Sequence, residues 1–235
     1  MTPRPRSATP REQSGVATAV ELYLTVALAF VLAVLIVLAP RRASAQIAPD
    51  SPRLISPHGS GGLAFHWVRA ETLPGDDGVL LATWAMPGLP KGMRLRGGIG
   101  KGVAEEEAFF GGFDYQAPVM RGGGTKPFDL DWHSGLGASS GQYVLVTLPV
   151  GLTGSVSLNS ESVWIAPYMT AGVAADLRMG VDAPDREFEV QPALDVGLDM
   201  SFDRARRVVV RAAASLGDRQ AVSVGLAFGV GKLSR

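Results

Sequence analysis

Hydrophobic and polar residues alternate along this chain, most regularly in the stretch Phe188–Phe202. Every second residue there is apolar, whereas the residues between them are acidic, small or polar. Because side chains point alternately to the two faces of a β-strand, the pattern predicts one strand with an apolar face and an acidic or small face. A helix would instead spread the acids around its circumference. The predicted strand is long enough to cross a bilayer, since a tilted strand needs only about 9–11 residues.

Similar alternating segments recur from Leu63 onward, separated by glycine, proline or short polar runs. The predicted strands are Leu63–Glu71, Val79–Met86, Met93–Lys101, Ala108–Gln116, Phe128–Ala138, Tyr143–Leu158, Val163–Leu177, Phe188–Phe202, Arg206–Leu216 and Ala221–Val230. A longer glycine-rich connection, Ala117–Pro127, follows the fourth of these strands. Regularly spaced strands with turn signals between them predict an all-β sandwich or barrel.

Alternation alone does not tell which face of a barrel is apolar. A soluble barrel has an apolar interior, whereas a membrane barrel has a polar interior and an apolar exterior. The polar positions of this chain carry many glycines and charges of both signs, rather than the lysines and glutamates of a water-facing surface. The pattern therefore favours a transmembrane barrel over the alternative, a soluble periplasmic β-barrel that binds an apolar ligand.

Charges inside a barrel are tolerable when opposite charges pair, so we predict a network of ion pairs across the interior. Its predicted members are Arg94, Arg96, Asp114, Asp129, Asp131, His133, Glu187, Glu189, Asp195, Asp199, Arg207 and Arg211. Large aromatic residues are expected near strand ends, where they anchor a barrel at the membrane interface. These residues are Trp67, Trp84, Trp132, Trp164, Tyr143 and Tyr168.

The N-terminus has the features of an export signal. Three arginines among the first eleven residues precede an apolar run from Leu22 to Ala39, and Ala43 and Ala45 then form the small-residue motif that a signal peptidase cleaves. The alternative is an uncleaved anchor, because a run of about 18 residues is just long enough to span a membrane. We therefore divide the chain into a signal peptide (1–45), a flexible leader rich in Pro, Ser and Gly (46–62) and a barrel (63–235).

Composition narrows the functional classes further. The 235-residue chain has 22 basic and 22 acidic residues, so it lacks the net positive charge that attracts nucleic acid. It has no cysteine, which excludes disulfides, thiolate metal sites and cysteine nucleophiles. His133 and Ser134 lie close in sequence to two aspartates, but adjacent residues on a strand face opposite ways. We expect His133 to pair with carboxylates in the interior, and we predict no catalytic, cofactor or metal site.

The last predicted strand resembles the closing strand of the small bacterial outer-membrane β-barrel family of Gram-negative envelopes. In that family the outer-membrane assembly machinery reads a polar residue, a glycine two positions later, and two late hydrophobic or aromatic residues. The matching residues are Ser223, Gly225, Phe228 and Val230. Val230 departs from the usual aromatic residue, and five further residues follow it.

The resemblance covers roughly Leu63 to Val230 and implies an antiparallel up-and-down transmembrane β-barrel of about ten strands, with eight as the alternative. It implies location in the outer membrane, with the lipid bilayer and the assembly machinery as partners, no nucleic acid and a monomeric state. The connections then expected outside are Thr72–Gly78, Gly102–Glu107, Ser139–Gln142, Met179–Arg186 and Gly217–Gln220. These are short for an adhesin, whereas Ala117–Pro127 is long for a periplasmic turn. We expect a structural or narrow-pore, porin-like role for small solutes without catalysis, and a lipid-modifying enzyme is the least favoured alternative.

Overall fold

The computed structural model describes residues 52–54, 62–70, 78–85, 90–101, 107–122, 128–140, 143–160, 162–180, 188–203, 205–217 and 219–229. The predicted signal segment, with Ala43 and Ala45, lies outside this part of the chain, and so do Glu187 and Val230. Among the residues that are described, no helix is long and apolar enough to cross a membrane.

The described residues form ten long strands and one two-residue strand. They are β1 (Gly62–Ala70), β2 (Val79–Trp84), β3 (Met93–Lys101), β4 (Glu107–Met120), β5 (Asp129–Ser140), β6 (Val144–Ser155), β7 (Leu158–Asn159), β8 (Trp164–Met179), β9 (Phe188–Ser201), β10 (Val208–Leu216) and β11 (Ala221–Gly229). Neighbouring long strands pair antiparallel, and the pairings of β1 with β11 and of β6 with β8 close the sheet on itself. This confirms the predicted fold class, an up-and-down barrel of ten long strands.

The long connection after the fourth predicted strand is shorter than expected. Strand β4 continues to Met120, with an irregularity in its register between Pro118 and Met120, and β5 begins at Asp129. The connection is therefore residues 121–128, at the end of the barrel where β1 begins and β11 ends. We call this end the lower end and the opposite end the upper end. The predicted count of ten long strands was right. The end of β4 was misplaced by four residues, and other strand ends differ from the prediction by up to three.

The exterior of the barrel is apolar, whereas the interior holds buried polar and charged side chains together with a smaller set of apolar ones. Among outward-facing side chains, Phe65 is 52% exposed, Leu80 is 63% exposed and Val190 is 54% exposed. Among inward-facing ones, Asp199 and Ser223 are 0% exposed. A water-soluble barrel has the opposite arrangement, whereas lipid accepts such an exterior directly. The barrel is therefore of the transmembrane kind, and the alternative of a soluble barrel with an apolar interior is wrong.

Inward-facing glycines make room for the largest interior side chains. Phe110 lies directly opposite Gly98 in the pairing of β3 with β4, and Tyr168 lies opposite Gly197 in the pairing of β8 with β9. A Cβ atom added to Gly98 would overlap the Phe110 ring and the carbonyl oxygen of Leu80, so any other residue would collide there. Each bulky side chain thus occupies the space that a glycine on the adjacent strand leaves open.

This arrangement makes Gly98 far less tolerant of substitution than its neighbour Gly97. We expect Gly98→Ala to destabilise the barrel by about 1–3 kcal/mol, because the Phe110 ring and the backbone must both shift. The matched control is Gly97→Ala, since a Cβ atom there faces outward and its nearest neighbour is 3.5 Å away. Urea unfolding in lipid vesicles, followed by tryptophan fluorescence, measures both, and equal stability of the two variants would contradict this packing.

Candidate functional site

The middle of the interior contains a cluster of buried opposite charges. We call it the central cluster; it consists of the buried residues Arg53, Arg96, Asp114, Asp199 and Arg211 and of Arg94, which is partly buried. Asp114 is 2% exposed, and its Oδ1 accepts hydrogen bonds from Arg53 Nη1 at 3.1 Å and lies 3.3 Å from Arg96 Nη1. On the other side, Arg211 Nε lies 3.2 and 3.3 Å from the two carboxylate oxygens of Asp199. Ion pairs are therefore present at this level of the interior. The two between strands join adjacent strands, β3 with β4 and β9 with β10, and not opposite walls.

The strand register explains how these residues meet. Arg94 and Arg96 are two positions apart on β3 and so share its inward face, and Asp114 lies opposite Arg94 on β4. Gly135, the partner of Asp114 on β5, has no side chain, and the Asp114 carboxylate occupies the space above it. On the far wall, Arg211 of β10 lies directly opposite Asp199 of β9.

Residues Pro52–Leu54, which precede β1, lie inside the barrel; we call them the internal segment. Arg53 is 3% exposed, donates to Asp114, and its carbonyl oxygen accepts a hydrogen bond from the Tyr168 hydroxyl at 3.1 Å. Leu54 is 4% exposed and packs in a buried apolar cluster with side chains such as Val68. The sequence predicted a flexible leader here, and for these three residues that prediction was wrong. These three residues show no alternation of apolar and polar positions, so their sequence does not indicate where they lie.

A second group of polar contacts lies at the lower end. Asp131 accepts hydrogen bonds from Gln116 Nε2 at 2.6 Å and from the Arg121 guanidinium, and its neighbour Asp129 accepts one from the Gly122 amide at 2.7 Å. Both aspartates are buried, as their place in the predicted network requires. Gln116 and Arg121 were not predicted as members of the interior network, although Gln116 is two positions from Asp114 on β4 and so shares its inward face.

A third group lies toward the upper end, and most of its members were missed. Asp176 is 3% exposed and accepts hydrogen bonds from Thr147 Oγ1 at 2.6 Å and from the guanidinium of Arg219, which lies in the turn between β10 and β11. Arg178 lies 2.7 Å from the predicted Glu189, and the Ser215 hydroxyl donates to the predicted Asp195. Asp176 is one of the alternate residues of β8 that face inward, so the alternation along this strand already predicts its inward position.

Arg207 is not part of the interior. It lies in the turn between β9 and β10, its side chain is 73% exposed, and its Nε donates to Asp203 at 2.7 Å. This hydrogen bond lowers the pKa of Asp203 and raises the pKa of Arg207. The prediction that Arg207 belongs to the interior network was wrong. The residue precedes β10, and the alternation of inward and outward side chains holds only within a strand.

His133 faces the interior as predicted, but its hydrogen bond is with a threonine hydroxyl and not with a carboxylate. The ring Nδ1 lies 3.2 Å from Thr153 Oγ1, which in turn lies 2.8 Å from Thr170 Oγ1. Ser134 points the other way, and its carbonyl oxygen lies 3.5 Å from Arg53 Nη2. The two side chains are on opposite faces of β5, so they do not form a nucleophile–base pair.

Of the six predicted aromatic anchors, three lie on the exterior, two face inward, and Tyr143 is partly buried at the residue before β6. Trp67, Trp84 and Trp132 are 44%, 44% and 39% exposed, as residues in contact with lipid would be. Trp164 and Tyr168 are 4% and 3% exposed and face inward, so their assignment as anchors was wrong. Both lie on the polar parity of β8, which is the signal that identifies them as interior residues.

Trp164 faces inward at the lower end of the barrel, at the first position of β8. Its indole Nε1 donates to Ser157 Oγ at 2.8 Å, and the guanidinium carbon of Arg206 lies 4.3 Å from the ring centroid. Arg206 also donates to the Asn159 side chain at 3.0 Å and adopts a positive φ of 51° in the turn after β9. The Trp164 indole and the Arg206 guanidinium thus join the β6–β8 connection to the β9–β10 turn on one side of this end.

The closing strand has the predicted alternation as far as it is described. Ser223 and Gly225 face inward, and Gly225 lies opposite His66 of β1, whose ring fills the space that the glycine leaves. Phe228 faces outward and is 43% exposed. The role of these residues in assembly stays a prediction.

Known proteins similar to this chain are found among solved structures and not among sequences. No protein-family model matches the sequence, and no curated protein matches it. The KdgM porin in complex with disordered oligogalacturonate is 10% identical, covering 72% of this chain and 98% of that chain, with a TM-score of 0.33. A structure from the de novo design of transmembrane β-barrels is 16% identical, covering 72% of this chain and 96% of that chain, with a TM-score of 0.29.

A further similar structure is Ail, the attachment invasion locus protein of Yersinia pestis, in complex with the heparin analogue sucrose octasulfate. It is 12% identical, covering 71% of this chain and 93% of that chain, with a TM-score of 0.27. KdgM and Ail are outer-membrane β-barrel proteins. At these identities and TM-scores, what those proteins bind says nothing about this chain, and its function follows from its own residues.

Proposed function

We propose that this protein is an outer-membrane β-barrel that forms a narrow pore for small solutes, held closed by its own internal segment, and that it has no catalytic role. The observation that carries the proposal is the position of Arg53, which lies in the middle of the interior and is bound to Asp114. The apolar exterior and the predicted N-terminal export signal support location in the outer membrane.

The size of the barrel supports a narrow pore. At about eight strands, side chains already fill a barrel interior, and wide aqueous channels require about 16. Ten strands leave slightly more room than side chains alone occupy, and here the internal segment occupies part of it. A passage opened by removing this segment would therefore admit small ions and solutes but not large ones.

The contacts of the internal segment suit a reversible closure. Asp114 has two arginine partners, so when Arg53 leaves, Arg96 still neutralises the buried carboxylate. Arg53 also has hydrogen bonds with Tyr168 and with the Ser134 carbonyl oxygen, and this hydroxyl and this carbonyl can bond to water that enters. The barrel wall therefore does not depend on the segment for its own charge balance.

A purely structural barrel is the second candidate. The observation that favours it is at the lower end, where Ser157 and Arg206 hold the inward-facing Trp164. If this indole blocks the passage, removal of the internal segment opens nothing.

Conductance of the full chain in planar lipid bilayers tests the proposal. Wild-type protein should show rare openings. Arg53→Glu places a second carboxylate against Asp114 while leaving the Arg96 pair intact, and like charges about 4 Å apart repel by several kcal/mol in a protein. Because the two carboxylates can share a proton and relieve part of this repulsion, we expect a rise in open probability of at least about tenfold.

The matched control is Arg53→Lys, which keeps the positive charge and should stay closed. Both variants must first show the folded, heat-modifiable gel mobility of the wild type. A folded Arg53→Glu barrel that conducts no more than Arg53→Lys would reject the gated pore and leave the structural role.

A further inference from the structure

We propose that acid releases the internal segment from the interior, through two buried histidines, His66 and His133. Both rings are neutral in the closed barrel and take up protons when water replaces the segment. The release presupposes the closure by the internal segment proposed above, but it does not require that the opened barrel conducts. Its support is the burial of the two rings, the arginines that face them and their closeness to the internal segment.

His66 lies inside the barrel without a hydrogen-bond partner. The residue is 1% exposed, and neither ring nitrogen bonds to any residue that the structure describes. Its strand neighbours at the same level are Leu81 of β2 and Gly225 of β11, which offer the ring only an alkyl group and an empty space. Neither neighbour stabilises an imidazolium, so the buried ring is neutral in the closed barrel.

The charged side chain that faces His66 is Arg211. It lies on β10, on the other side of Gly225, and its guanidinium is bound to Asp199 of β9. The adjacent inward positions of β1, β2 and β11 are apolar or hydroxyl residues, namely Ala64, Val68, Val79, Thr83, Ser223 and Ala227. A proton on His66 would therefore place a second positive charge beside Arg211, whose carboxylate partner is already engaged.

The internal segment packs against the surroundings of His66. Leu54 belongs to the same buried apolar cluster as Leu81, the residue directly opposite His66 on β2. Departure of Leu54 opens a space there, and water that enters it finds polar partners. Besides the His66 ring, these are Nη2 of Arg211 and Oγ of Ser223, which have no hydrogen-bond partner among the described residues. Release of the segment therefore hydrates His66.

His133 lies next to a contact of Arg53. The histidine is 3% exposed. The carbonyl oxygen of the following residue, Ser134, lies 3.5 Å from Arg53 Nη2. The strand neighbours of His133 at the same level, Gln116 of β4 and Gly151 of β6, carry no charge. The second ring is thus also buried and neutral while the segment is in place.

The charges around His133 oppose its protonation only in the closed barrel. Those that act on it are Arg53, Arg96 and Asp114, and Asp131 lies two positions away on the same face of β5. Both carboxylates are already engaged, Asp114 by the two arginines and Asp131 by its partners at the lower end. A proton on His133 is therefore repelled by Arg53 until the segment leaves, and afterwards this repulsion is gone.

The direction of the effect follows from the protons that each form binds. A hydrated histidine takes up a proton at about pH 6.5. The closed barrel binds neither proton and the opened one binds up to two, so closure is favoured above this pH and is lost as the pH falls below it. From about pH 7.5 to about pH 5.5, each histidine raises the ratio of open to closed barrel by at most about tenfold.

Thiol labelling measures the release directly, because the chain has no cysteine of its own. Leu54→Cys is folded in detergent micelles and labelled with a water-soluble maleimide. The labelling rate is divided by that of Ala205→Cys, an exposed position in the turn between β9 and β10, which corrects for the chemistry of the thiol. We expect this ratio to rise by about tenfold to a hundredfold between about pH 7.5 and about pH 5.5. A ratio that does not change with pH would overturn the proposal without any histidine variant.

Replacement of the two histidines then tests whether they carry the response. His66→Phe keeps a ring over Gly225 and loses no hydrogen bond, and His133→Gln can still bond to Thr153. Each substitution should reduce the acid response by up to about tenfold, and the double variant should abolish it. All chains in this comparison carry His58→Gln, so the third histidine does not titrate. An undiminished response in the folded double variant would assign the release to carboxylates and overturn the proposal.

Labelling does not use conductance, so the two proposals fail separately. Acid-dependent labelling together with a non-conducting Arg53→Glu barrel rejects the pore and keeps the acid release. A conducting Arg53→Glu barrel together with labelling that does not depend on pH rejects only the acid release.

Discussion

Replacement of Asp114 by asparagine is expected to destabilise the barrel by about 3–5 kcal/mol, because it leaves buried guanidinium groups without their counter-ion. Asp114 is 2% exposed and its Oδ1 is shared by Arg53 at 3.1 Å and Arg96 at 3.3 Å. The asparagine amide keeps the shape of the side chain and one acceptor oxygen, so the loss reflects charge and not volume. Equilibrium unfolding in lipid vesicles measures it.

The control is Asp203→Asn, which removes the same charge from the exposed turn pair with Arg207 and should change stability little. A double-mutant cycle with Arg53→Met then separates the contribution of the internal segment. Asp114→Asn should cost less when Arg53 is already methionine, since one of the two stranded cations is then absent. Strict additivity of the two substitutions would show that Arg53 and Asp114 do not interact in the folded barrel.

Replacement of Leu226 by arginine is expected to cost about 2–4 kcal/mol, the range for a basic residue on the lipid face of a barrel at the bilayer midplane. Leu226 lies toward the middle of β11, faces outward and is 45% exposed. The expected loss arises because hydrocarbon cannot solvate a guanidinium. The same unfolding measurement in vesicles applies.

Depth along the strand provides the control. Val208 is also outward-facing, 43% exposed and at the lower end of β10, where an arginine can reach the membrane interface. Val208→Arg should therefore cost only about 0–1 kcal/mol. If both arginines cost the same, or neither costs anything, the exposed apolar belt is not immersed in hydrocarbon and the transmembrane assignment is wrong.

The two wrongly assigned aromatic residues show that alternation along a strand predicts the direction of a side chain better than its residue type does. Trp164 and Tyr168 were assigned to the membrane interface because of their residue type, although both lie on the polar parity of β8 with Thr170 and Asp176. The structure follows the parity, since a strand in a closed sheet cannot turn one side chain to the other face without a bulge. Gly197 on β9 supplies the space that makes an inward Tyr168 possible.

The sequence by itself determined the strands, their number and the face that each side chain occupies, because an alternation of period two is a local property of an extended backbone. Only the tertiary structure decided which charges meet, because that depends on the register between strands distant in sequence, as for Asp114 with Arg96 and Arg211 with Asp199. It also decided the positions of Arg53 and Arg219, which lie outside every strand and reach buried carboxylates from the internal segment and from a turn. Side chains outside the strands have no alternation to report their direction, so only closure of the barrel around them places them.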